Sequence, residues 1–578
     1  MKSFIAVLTE SFCEAAKKAF PQLNEWSIEI TQSTQEKFGH YQCNTAMKLA
    51  KILNKNPRII AEELVDAVDK TMIAQLDVAG PGFINITLKK EAIEEFLNSI
   101  LHSKRLAVAL APSNQKVIVE FSSPNTAKQL HVGHLRSTII GDCLARIFEF
   151  LGYDVLRLNH VGDWGTQFGM LIAYMKEHVP KVFSGEQEAA LSDLEKWYKE
   201  AKKRFDHDLD FKKQSQLEVV ALQSGDEASL SAWEKICSIS RQAYQEIYDL
   251  LGVNLIERGE SFYNPYLPEI IRDLESKGLV TISEGAKCVF LEGFMNREGD
   301  PLPLMVQKSD GGYNYDTTDM AAMKYRIGVD KADRIIIVTD AGQSTHFQMV
   351  FQAAQKAGYY DPEKVRVDHV PFGVVLGPDG KKFKTRSGET EKLIDLLKRA
   401  VDKASEILKE KNPDIPQEEK DQVAKALGIG AVKYADLSTN RISDYVFSYD
   451  KMLRFEGNTA AFLMYAYVRV AGIKRKVNRS IEDVIANTKL LLKEPAELDL
   501  ALHITQFSES LESVAQDLLP NRLTDYLYAL AQKFHAFFRD CRVEGSDRES
   551  QRLLLCEATA RTLSCGLHLL GLETVERM

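Results

Sequence analysis

The stretch SSPNTAKQLHVGHLRS, residues 122–137, sets two imidazoles on either side of a glycine. It follows the apolar run KVIVEF, typical of a buried strand, and precedes apolar residues at helical spacing. The amides at a helix N-terminus attract phosphate. His131 and His134 could donate hydrogen bonds to phosphate oxygens and return easily to neutral, since imidazole titrates near neutral pH. Gly133, without a side chain, would let a flat base approach the backbone.

The elements around this stretch have to position it. By itself a four-residue H-x-G-H pattern is more typical of a surface turn. Here HLRSTIIGDCLARIFEFLG predicts a helix that stops at Gly152, and YDVLRLNHV predicts a second strand. A strand, helix and strand in this order favour a doubly wound parallel sheet, which binds ligands at the carboxyl ends of its strands.

The periodicity of apolar residues changes along the chain, which predicts three domains. Residues 1–108 mix helical periodicity with the strand-like VAGPGFINITL and predict a small α+β unit. Residues 109–389 predict the Rossmann-like α/β domain, interrupted at about 177–300 by a charged, mainly helical insertion. Residues 390–578 are almost entirely helical in period and predict an all-α bundle.

Composition limits the class of protein. With 578 residues, 45% hydrophobic and 27% charged, the chain is an ordinary globular protein of several domains. No apolar run approaches the roughly 20 residues of a membrane span, so we expect a cytoplasmic protein with no membrane partner. The eight cysteines form no C-x-x-C pair, which argues against a zinc ribbon or a disulfide framework. A net charge of −9 argues against wholesale binding of polyanions, although a local basic face could still hold nucleic acid.

The longer run SSPNTAKQLHVGHLRSTIIGD resembles the HIGH signature of class I aminoacyl-tRNA synthetases, specifically of arginyl-tRNA synthetases. The likeness covers nearly the whole chain, through LNHVGDWGTQFGML, SDGGYNYDTTDMAAMKYR, GKKFKTRSGET, GAVKYADLS, FEGNTAAFLMYAYVRV and the terminal VERM. It implies activation of L-arginine with ATP, release of pyrophosphate, and transfer of the arginyl group to tRNA(Arg), which also helps to assemble the site. It further implies a monomer that takes ATP with Mg²⁺ as substrate, without an organic cofactor or a dedicated metal site.

The same resemblance assigns the ATP-binding residues. His131 and His134 would grip the triphosphate, and Gly133 would form the floor under adenine. In GPDGKKFKTRSG the family's second signature, KMSKS, is degenerate, because Lys382, Phe383 and Lys384 are followed by threonine where a second lysine is usual. Lys128, just upstream of HIGH, would supply part of the missing charge. The alternative for KKFKTR is a solvated basic loop.

Arginine itself would need carboxylates that accept forked hydrogen bonds from a planar guanidinium, and neutral acceptors for its α-amino group. The resemblance implies a set of binding residues at matching positions: Ser123, Pro124, Asn125, His134, Tyr315, Asp319, Gln343, Glu120 and Glu260. Tyr315, Asp319 and Glu260 would face the guanidinium, with Glu120 adding negative charge. Asn125 and Gln343 would hold the amino end, and Ser123 with the backbone near Pro124 the carboxylate. The open alternatives are that Asp319 is a helix cap and Tyr315 a core ring.

Two regions would bind tRNA according to the resemblance. Tyr465 and Arg469 lie in a basic, aromatic segment of the helical domain, the expected anticodon binder. Phe83 and Asn85 of the N-terminal unit would contact a base at the tRNA elbow, and the insertion would contact the acceptor stem, with no editing site required. A solvated helix face and a core phenylalanine are the competing interpretations.

Three other functions stay open from the sequence. An adenylating enzyme that ligates small molecules without RNA would have the same nucleotide site, but leaves the first and last domains unexplained. A non-catalytic RNA-binding or scaffold protein is disfavoured by the intact His131, His134, Lys128 and Asp319. A synthetase for another amino acid is disfavoured by the carboxylate-rich pocket.

Overall fold

The computed structural model of this protein describes residues 1–23, 28–111, 115–377, 379–381, 383 and 391–578. None of the described helices combines the length and apolar character that crossing a membrane requires.

The N-terminal unit is an antiparallel sheet with helices packed on it. Its elements are α1 (Phe4–Ala19), β1 (Ile30–Gln32), β2 (Tyr41–Cys43), α2 (Thr45–Leu53), α3 (Pro57–Ala67), β3 (Ile73–Ala79), β4 (Phe83–Leu88) and α4 (Lys90–His102). The strand order is β1-β2-β4-β3. The hydroxyl of Tyr41 donates to Glu509 Oε1 at 2.9 Å, which ties this sheet to the C-terminal region.

The central region is built on a parallel sheet. Its elements are β5 (Lys116–Glu120), α5 (Val132–Leu151), β6 (Asp154–Asn159), α6 (Thr166–His178), α7 (Pro180–Ser184), α8 (Leu191–His207), α9 (Leu209–Ser224), α10 (Glu227–Leu251), β7 (Ile256–Glu257), α11 (Leu267–Ser276), β8 (Thr281–Ser283), β9 (Ala286–Met295), β10 (Pro301–Gln307), α12 (Tyr315–Gly328), β11 (Arg334–Asp340), α13 (Ser344–Lys356), β12 (Arg366–Phe372) and β13 (Val375–Leu376). The parallel strands run in the order β12-β11-β5-β6-β7, and β10-β9-β8 form a separate antiparallel sheet.

The C-terminal region is helical. It comprises α14 (Leu393–Lys411), α15 (Gln417–Leu437), β14 (Tyr445–Val446), α16 (Tyr449–Met452), α17 (Ala460–Val477), α18 (Ile481–Asn487), α19 (Pro495–Thr505), α20 (Phe507–Asp517), α21 (Asn521–Asp540) and α22 (Glu549–Leu569). The short β14 pairs in parallel with β13. Arg136 of α5 strengthens this junction, because its Nη1 donates to the carbonyls of Gly373 at 2.8 Å and Ser443 at 3.0 Å.

Both faces of the parallel sheet are buried, as a doubly wound fold requires. Val117 and Val119 of β5 belong to the core shared with α5 and the helical region. Ile118, which points to the other face, belongs to a second core with Ile335 and Ile337 of β11 and residues of α11, α12 and α13. The alternation along β5 thus holds α5 on one side of the sheet and α12 and α13 on the other.

Helix α5 packs so closely on the chain after β5 that one position admits only glycine. A Cβ built on Gly141 would lie 2.1 Å from Cγ of Phe121, a side chain that is fully buried. The middle of α5 is therefore held against Phe121, the residue that follows β5.

Replacing Gly141 with alanine is expected to lower the free energy of unfolding by about 1–3 kcal/mol, the usual cost of overpacking a core. Urea unfolding followed by circular dichroism measures this. Gly472→Ala on α17 is the control, because among the described residues only the flexible end of Arg475 comes within 4 Å of its Cβ, at 3.9 Å. Equal stability of the two variants would contradict the tight contact.

The insertion differs from its predicted helical character. It is helical as far as Leu251, but β7 then joins the edge of the parallel sheet, and β8–β10 form their own sheet. Alternation in AKCVFLEGFM explains this, since Cys288, Val289 and Leu291 are buried while Phe290 and Glu292 are exposed. The domain boundaries at 108/109 and 389/390 stay predictions.

Candidate active site

A cavity of about 960 Å³ opens at the carboxyl ends of β5, β6 and β11. Most of the sequence-predicted residues line it: Glu120, Ser123, Asn125, His131, Gly133, His134, Glu260, Tyr315, Asp319, Gln343 and Phe383. The fold thus brings the histidine motif and the predicted arginine residues to one site.

The loop between β5 and α5 is strained where it borders the cavity. Ser122, Ser123 and Ala127 have φ angles of 71°, 44° and 64°, in the left-handed region that non-glycine residues rarely adopt. The amide of Ser123 donates to Asn159 Oδ1 at 3.0 Å, and the Tyr244 hydroxyl lies 2.8 Å from the carbonyl of Asn125. Such strain persists only where surrounding contacts enforce it, and it is typical of functional loops.

The two histidines cap α5. His131 Nδ1 accepts from the amide of Gly133 at 3.1 Å, and His134 Nδ1 accepts from the amide of His131 at 3.2 Å. Their ring centroids are 4.2 Å apart. Because Nδ1 of His134 is an acceptor, the proton of the neutral ring is on Nε2, which is therefore a donor.

His134 does not titrate near neutral pH, and our expectation on this point was wrong. Burial, helped by His131, lowers the pKa of His134 to about 3. A hydrogen bond from this ring to phosphate would therefore come from a neutral N–H. The sequence alone could not indicate this, since desolvation depends on the fold.

The predicted guanidinium residues come from two parts of the chain. Tyr315 and Asp319 lie one turn apart on α12, with Tyr315 61% exposed at the helix start. Glu260 begins the short 3-10 turn Glu260–Tyr266. Asp319 caps no described helix; its Oδ2 is 2.6 Å from Nε2 of His346.

The carboxylates of this pocket differ in how their charge is compensated. Glu120 forms a buried ion pair with Arg326, with 2.5 Å between Oε2 and Nη2. Arg326 therefore balances the negative charge that Glu120 brings to the pocket. Burial opposes the charge of Asp319, but the hydrogen bond to His346 and the charges of His346, His160 and Arg326 together outweigh it and lower the pKa of this carboxyl.

Glu260 is the pocket carboxyl with no described cation beside it. Burial, followed by the nearby Asp319 and Asp163, raises the pKa of Glu260 to about 8. Glu260 is thus largely protonated at neutral pH, and a cation beside it would favour its ionised form.

The residues predicted for the amino and carboxylate ends of arginine lie on two loops. Ser123 Oγ is buried without a hydrogen-bond partner among the described residues, which is unusual for a native hydroxyl. Asn125 is exposed next to Gly162, and Gln343 ends a 3-10 turn capped by Asp340. Pro124 is buried behind the cavity wall.

The signature-loop residues are only partly described. Phe383 packs on Phe447, with ring centroids 5.1 Å apart, and its amide donates to the carbonyl of Val375 at 3.1 Å. Lys382 and Lys384 lie outside the described residues. Lys128 is exposed outside the cavity wall, with Nζ 5.5 Å from the ring centroid of Tyr198.

The residues predicted to bind tRNA lie far from this cavity in the sequence and on other units. Phe83 and Asn85 lie on the face of β4 opposite its core residues Ile84 and Ile86, and Asn85 Oδ1 accepts from Gln42 at 2.8 Å. Phe83 is therefore not a core ring.

On α17, Tyr465 is 38% exposed. The guanidinium of Arg469 lies between its ring and that of Phe538, 4.9 and 5.2 Å from the two centroids. The three side chains form an exposed aromatic and cationic surface.

Sequence reasoning missed three residues of the site. His160, Arg326 and His346 surround Asp319 and Glu120, and His160 and His346 line the cavity. HVGDWG and GQSTHFQ contain the two histidines, but no spacing connects them to α12.

Three family models match the chain. Residues 6–88 match the arginyl tRNA synthetase N terminal domain, residues 96–449 the catalytic domain of class I (R) tRNA synthetases, and residues 463–578 the DALR anticodon binding domain. Among curated proteins, the chain is 60% identical over the full length of both chains to arginine–tRNA ligase of Protochlamydia amoebophila (strain UWE25). It is 55% identical to that of Chlamydia felis (strain Fe/C-56), over 98% of this chain and 99% of the relative.

Solved structures agree. The crystal structure of arginyl-tRNA synthetase from Plasmodium falciparum is similar over 100% of both chains, with a TM-score of 0.88 and 35% identity. That from Thermus thermophilus is similar over the same extent, with a TM-score of 0.81 and 25% identity. The catalytic, N-terminal and anticodon-binding units thus occur together here as they do in these relatives, and the chain belongs to the arginyl-tRNA synthetase family of class I aminoacyl-tRNA ligases.

Proposed function

We propose that this chain activates L-arginine with ATP and transfers the arginyl group to tRNA(Arg). The observation that carries the proposal is the single cavity in which the histidine motif at the start of α5 meets the carboxyl groups of Asp319 and Glu260. One end of this cavity suits a triphosphate and the other a guanidinium.

In the first step, an α-carboxylate oxygen of arginine attacks the α-phosphorus of ATP. The bond from that phosphorus to its bridging oxygen breaks, and pyrophosphate leaves. The protein has little covalent work in such a displacement, so positioning and charge stabilisation dominate. His134 donates from Nε2, His131 lies beside it, and the amides that begin α5 add positive potential.

The guanidinium binds to Asp319, Glu260 and Tyr315. Ser123, whose buried hydroxyl lacks a described partner, binds the other end of the amino acid together with Asn125 and Gln343. A site built on such hydrogen bonds can reject an analogue that lacks them by roughly 10⁴- to 10⁵-fold. Lysine would leave several acceptors unpaired, so selection against it needs no editing.

In the second step, a hydroxyl of the terminal tRNA ribose attacks the carbonyl carbon of the adenylate, and AMP leaves. The surfaces at Phe83 and at Tyr465 with Arg469 bind the tRNA elbow and the anticodon loop. The half-buried ring of Phe83 and the exposed ring of Tyr465 can stack on unpaired bases, and the guanidinium of Arg469 can contact phosphate.

Mg²⁺ enters with ATP as part of the substrate in this proposal. No group of three or more metal-ligating side chains occurs within the described ranges, so phosphate oxygens and water supply most of its ligands. A monomeric state, a cytoplasmic location, and the roles of Lys128, Lys382, Lys384 and Glu120 are also parts of the proposal.

Charging assays test the whole function. Purified protein with ATP, Mg²⁺ and total tRNA should attach labelled arginine to tRNA, while labelled lysine and citrulline, run as controls, should not be attached. Ligation of arginine that does not require RNA, or attachment of another amino acid, would contradict the proposal.

Binding of arginine is expected to release a proton from Glu260. The pKa of Glu260 is about 8, and a bound guanidinium would lower it. The KM for arginine should therefore fall as pH rises from 6.5 to 8, by at most about tenfold per pH unit, and then level off. Steady-state kinetics of Glu260→Gln provide the control, because this variant should lose the pH dependence. A flat wild-type profile would show that Glu260 does not ionise on binding.

Arg469→Gln is expected to weaken tRNA binding without altering the KM for arginine, because the side chain is remote from the cavity. Losing one phosphate contact should reduce the slope of log affinity against log salt by about 1. Filter binding over a salt series measures the slope. Lys476→Gln, on the same helix, is the comparison. An unchanged slope and affinity for Arg469→Gln would exclude a phosphate contact there.

A further inference from the structure

The arginine pocket contains a cation of its own. His346, in the first turn of α13, lies between two carboxylates of α12, with Nδ1 3.2 Å from Asp316 Oδ1 and Nε2 2.6 Å from Asp319 Oδ2. Nε2 donates to Asp319 Oδ2, and Nδ1 lies at ion-pair distance from Asp316 Oδ1. Two carboxylates, one against each ring nitrogen, favour the imidazolium form, in which both nitrogens carry a proton. Although burial opposes the charge, the two carboxylates raise the pKa of His346 to about 9.

This bridge is anchored at the end remote from the substrate. Asp316 is buried, and its second oxygen accepts from the amide of Met305 at 3.1 Å and from Asn314 Nδ2 at 3.2 Å. Asp316 is thus fixed by β10 and by the residue preceding α12. His346, which contacts both carboxylates, connects Asp319 to this fixed Asp316.

The bridge also determines which oxygen of Asp319 is available. Oδ2 is occupied by His346, whereas Oδ1 is 3.8 Å from Nε2 of His160, beyond hydrogen-bonding distance. The ring of His346 additionally contacts Tyr315 edge to face, with centroids 5.1 Å apart. Tyr315 and Asp319, two of the three residues predicted to face the guanidinium, therefore both contact the imidazole of His346.

We propose that His346 is a positioning and specificity-determining residue: its imidazolium links Asp316 to Asp319 and presents Asp319 Oδ1, together with the Tyr315 ring, to the guanidinium of arginine. This inference rests on the proposed function and deepens it. A carboxylate held in one orientation suits a planar fork of donors, whereas a compact ammonium gains less from such orientation.

The test compares three variants by steady-state pyrophosphate exchange with arginine and ATP in the presence of a fixed, saturating concentration of tRNA. His346→Phe keeps a ring but removes both donors, and is expected to raise the KM for arginine at least 30-fold while the KM for ATP changes less than twofold. His346→Gln, whose amide can still donate to Asp319, should recover most of the loss, to within about tenfold of wild type. His369→Gln is the matched control, because His369 also packs on Phe347 but bonds Thr339 rather than a carboxylate. It should stay within twofold of wild type.

A double-mutant cycle identifies the route of the effect. If His346 acts through Asp319, adding His346→Phe to Asp319→Asn should raise the KM for arginine by no more than about threefold further. The inference would be overturned if the two single-variant increases in the KM for arginine multiplied fully in the double variant. It would also be overturned if the KM values for arginine and ATP rose equally. An unchanged KM in His346→Phe would likewise overturn it. If His346→Phe fails to fold, the cycle is run with His346→Gln instead. Its increase of up to about tenfold in the KM for arginine should then be absent when Asp319 is already asparagine. Wild-type protein that exchanges with another amino acid instead of arginine would refute the proposed function itself.

Discussion

Replacing His134 with alanine is expected to slow adenylate formation by roughly 100- to 1,000-fold, the usual effect of removing one donor from a charge-stabilising site. In the proposed function the neutral Nε2–H of His134 donates to the phosphates, and a pKa lowered to about 3 by burial leaves this donor unchanged across the working pH range. The loss should therefore be in kcat of pyrophosphate exchange and be independent of pH between 6 and 8. Binding of tRNA, which involves other surfaces, should change less than twofold.

Alanine also removes the acceptor for the amide of His131, so a second variant separates the two effects. His134→Asn can still accept from that amide through Oδ1 but places no donor at the position of Nε2. It should remain as slow as the alanine variant if the phosphate contact matters. Recovery of activity in His134→Asn would assign His134 to capping α5, as would equal losses of exchange and tRNA binding in His134→Ala.

Replacing Asp319 with asparagine is expected to raise the KM for arginine by roughly 30- to 1,000-fold, with little change in the KM for ATP. Removing one partner of a buried charge pair costs about 2–4 kcal/mol. Asparagine keeps the shape but loses the charge, and the protonated His346 beside it would then repel the guanidinium. Exchange kinetics with each substrate varied in turn measure the two constants.

Asp310→Asn is the matched control for this variant. Asp310 lies in the exposed turn before α12, where its carboxylate accepts only from the amide of Gly312 among the described contacts. Its KM for arginine should not change. An unchanged arginine KM in Asp319→Asn would remove Asp319 from the guanidinium pocket, and equal increases for arginine and ATP would point to a general disturbance.

The parts of the site that follow from local order could be predicted from sequence. KVIVEF, the histidine motif and the helix ending at Gly152 are contiguous, so the position of His131, Gly133 and His134 at the start of α5 required no knowledge of distant contacts. The i, i+4 spacing of Tyr315 and Asp319 likewise predicted their common face on α12.

Charge compensation could not be predicted in this way. Arg326 neutralises Glu120, and His346 bridges Asp316 and Asp319, because strands and helices distant in the chain meet at the sheet edge. The low pKa of His134 likewise depends on burial that the sequence does not specify. The sheet β8–β10 was missed because Phe290 and Met295 of β9 are apolar but exposed, which obscures the alternation of apolar and polar residues.

Exchange of labelled pyrophosphate into ATP, measured with and without tRNA, tests directly whether this cavity activates arginine. We expect exchange that requires arginine and tRNA together and is absent with lysine, glutamine or cysteine. Exchange driven by one of these other amino acids would show that the carboxylate pocket has been misassigned. The complete absence of exchange with arginine and tRNA would contradict the assignment of this cavity as the site of arginine activation.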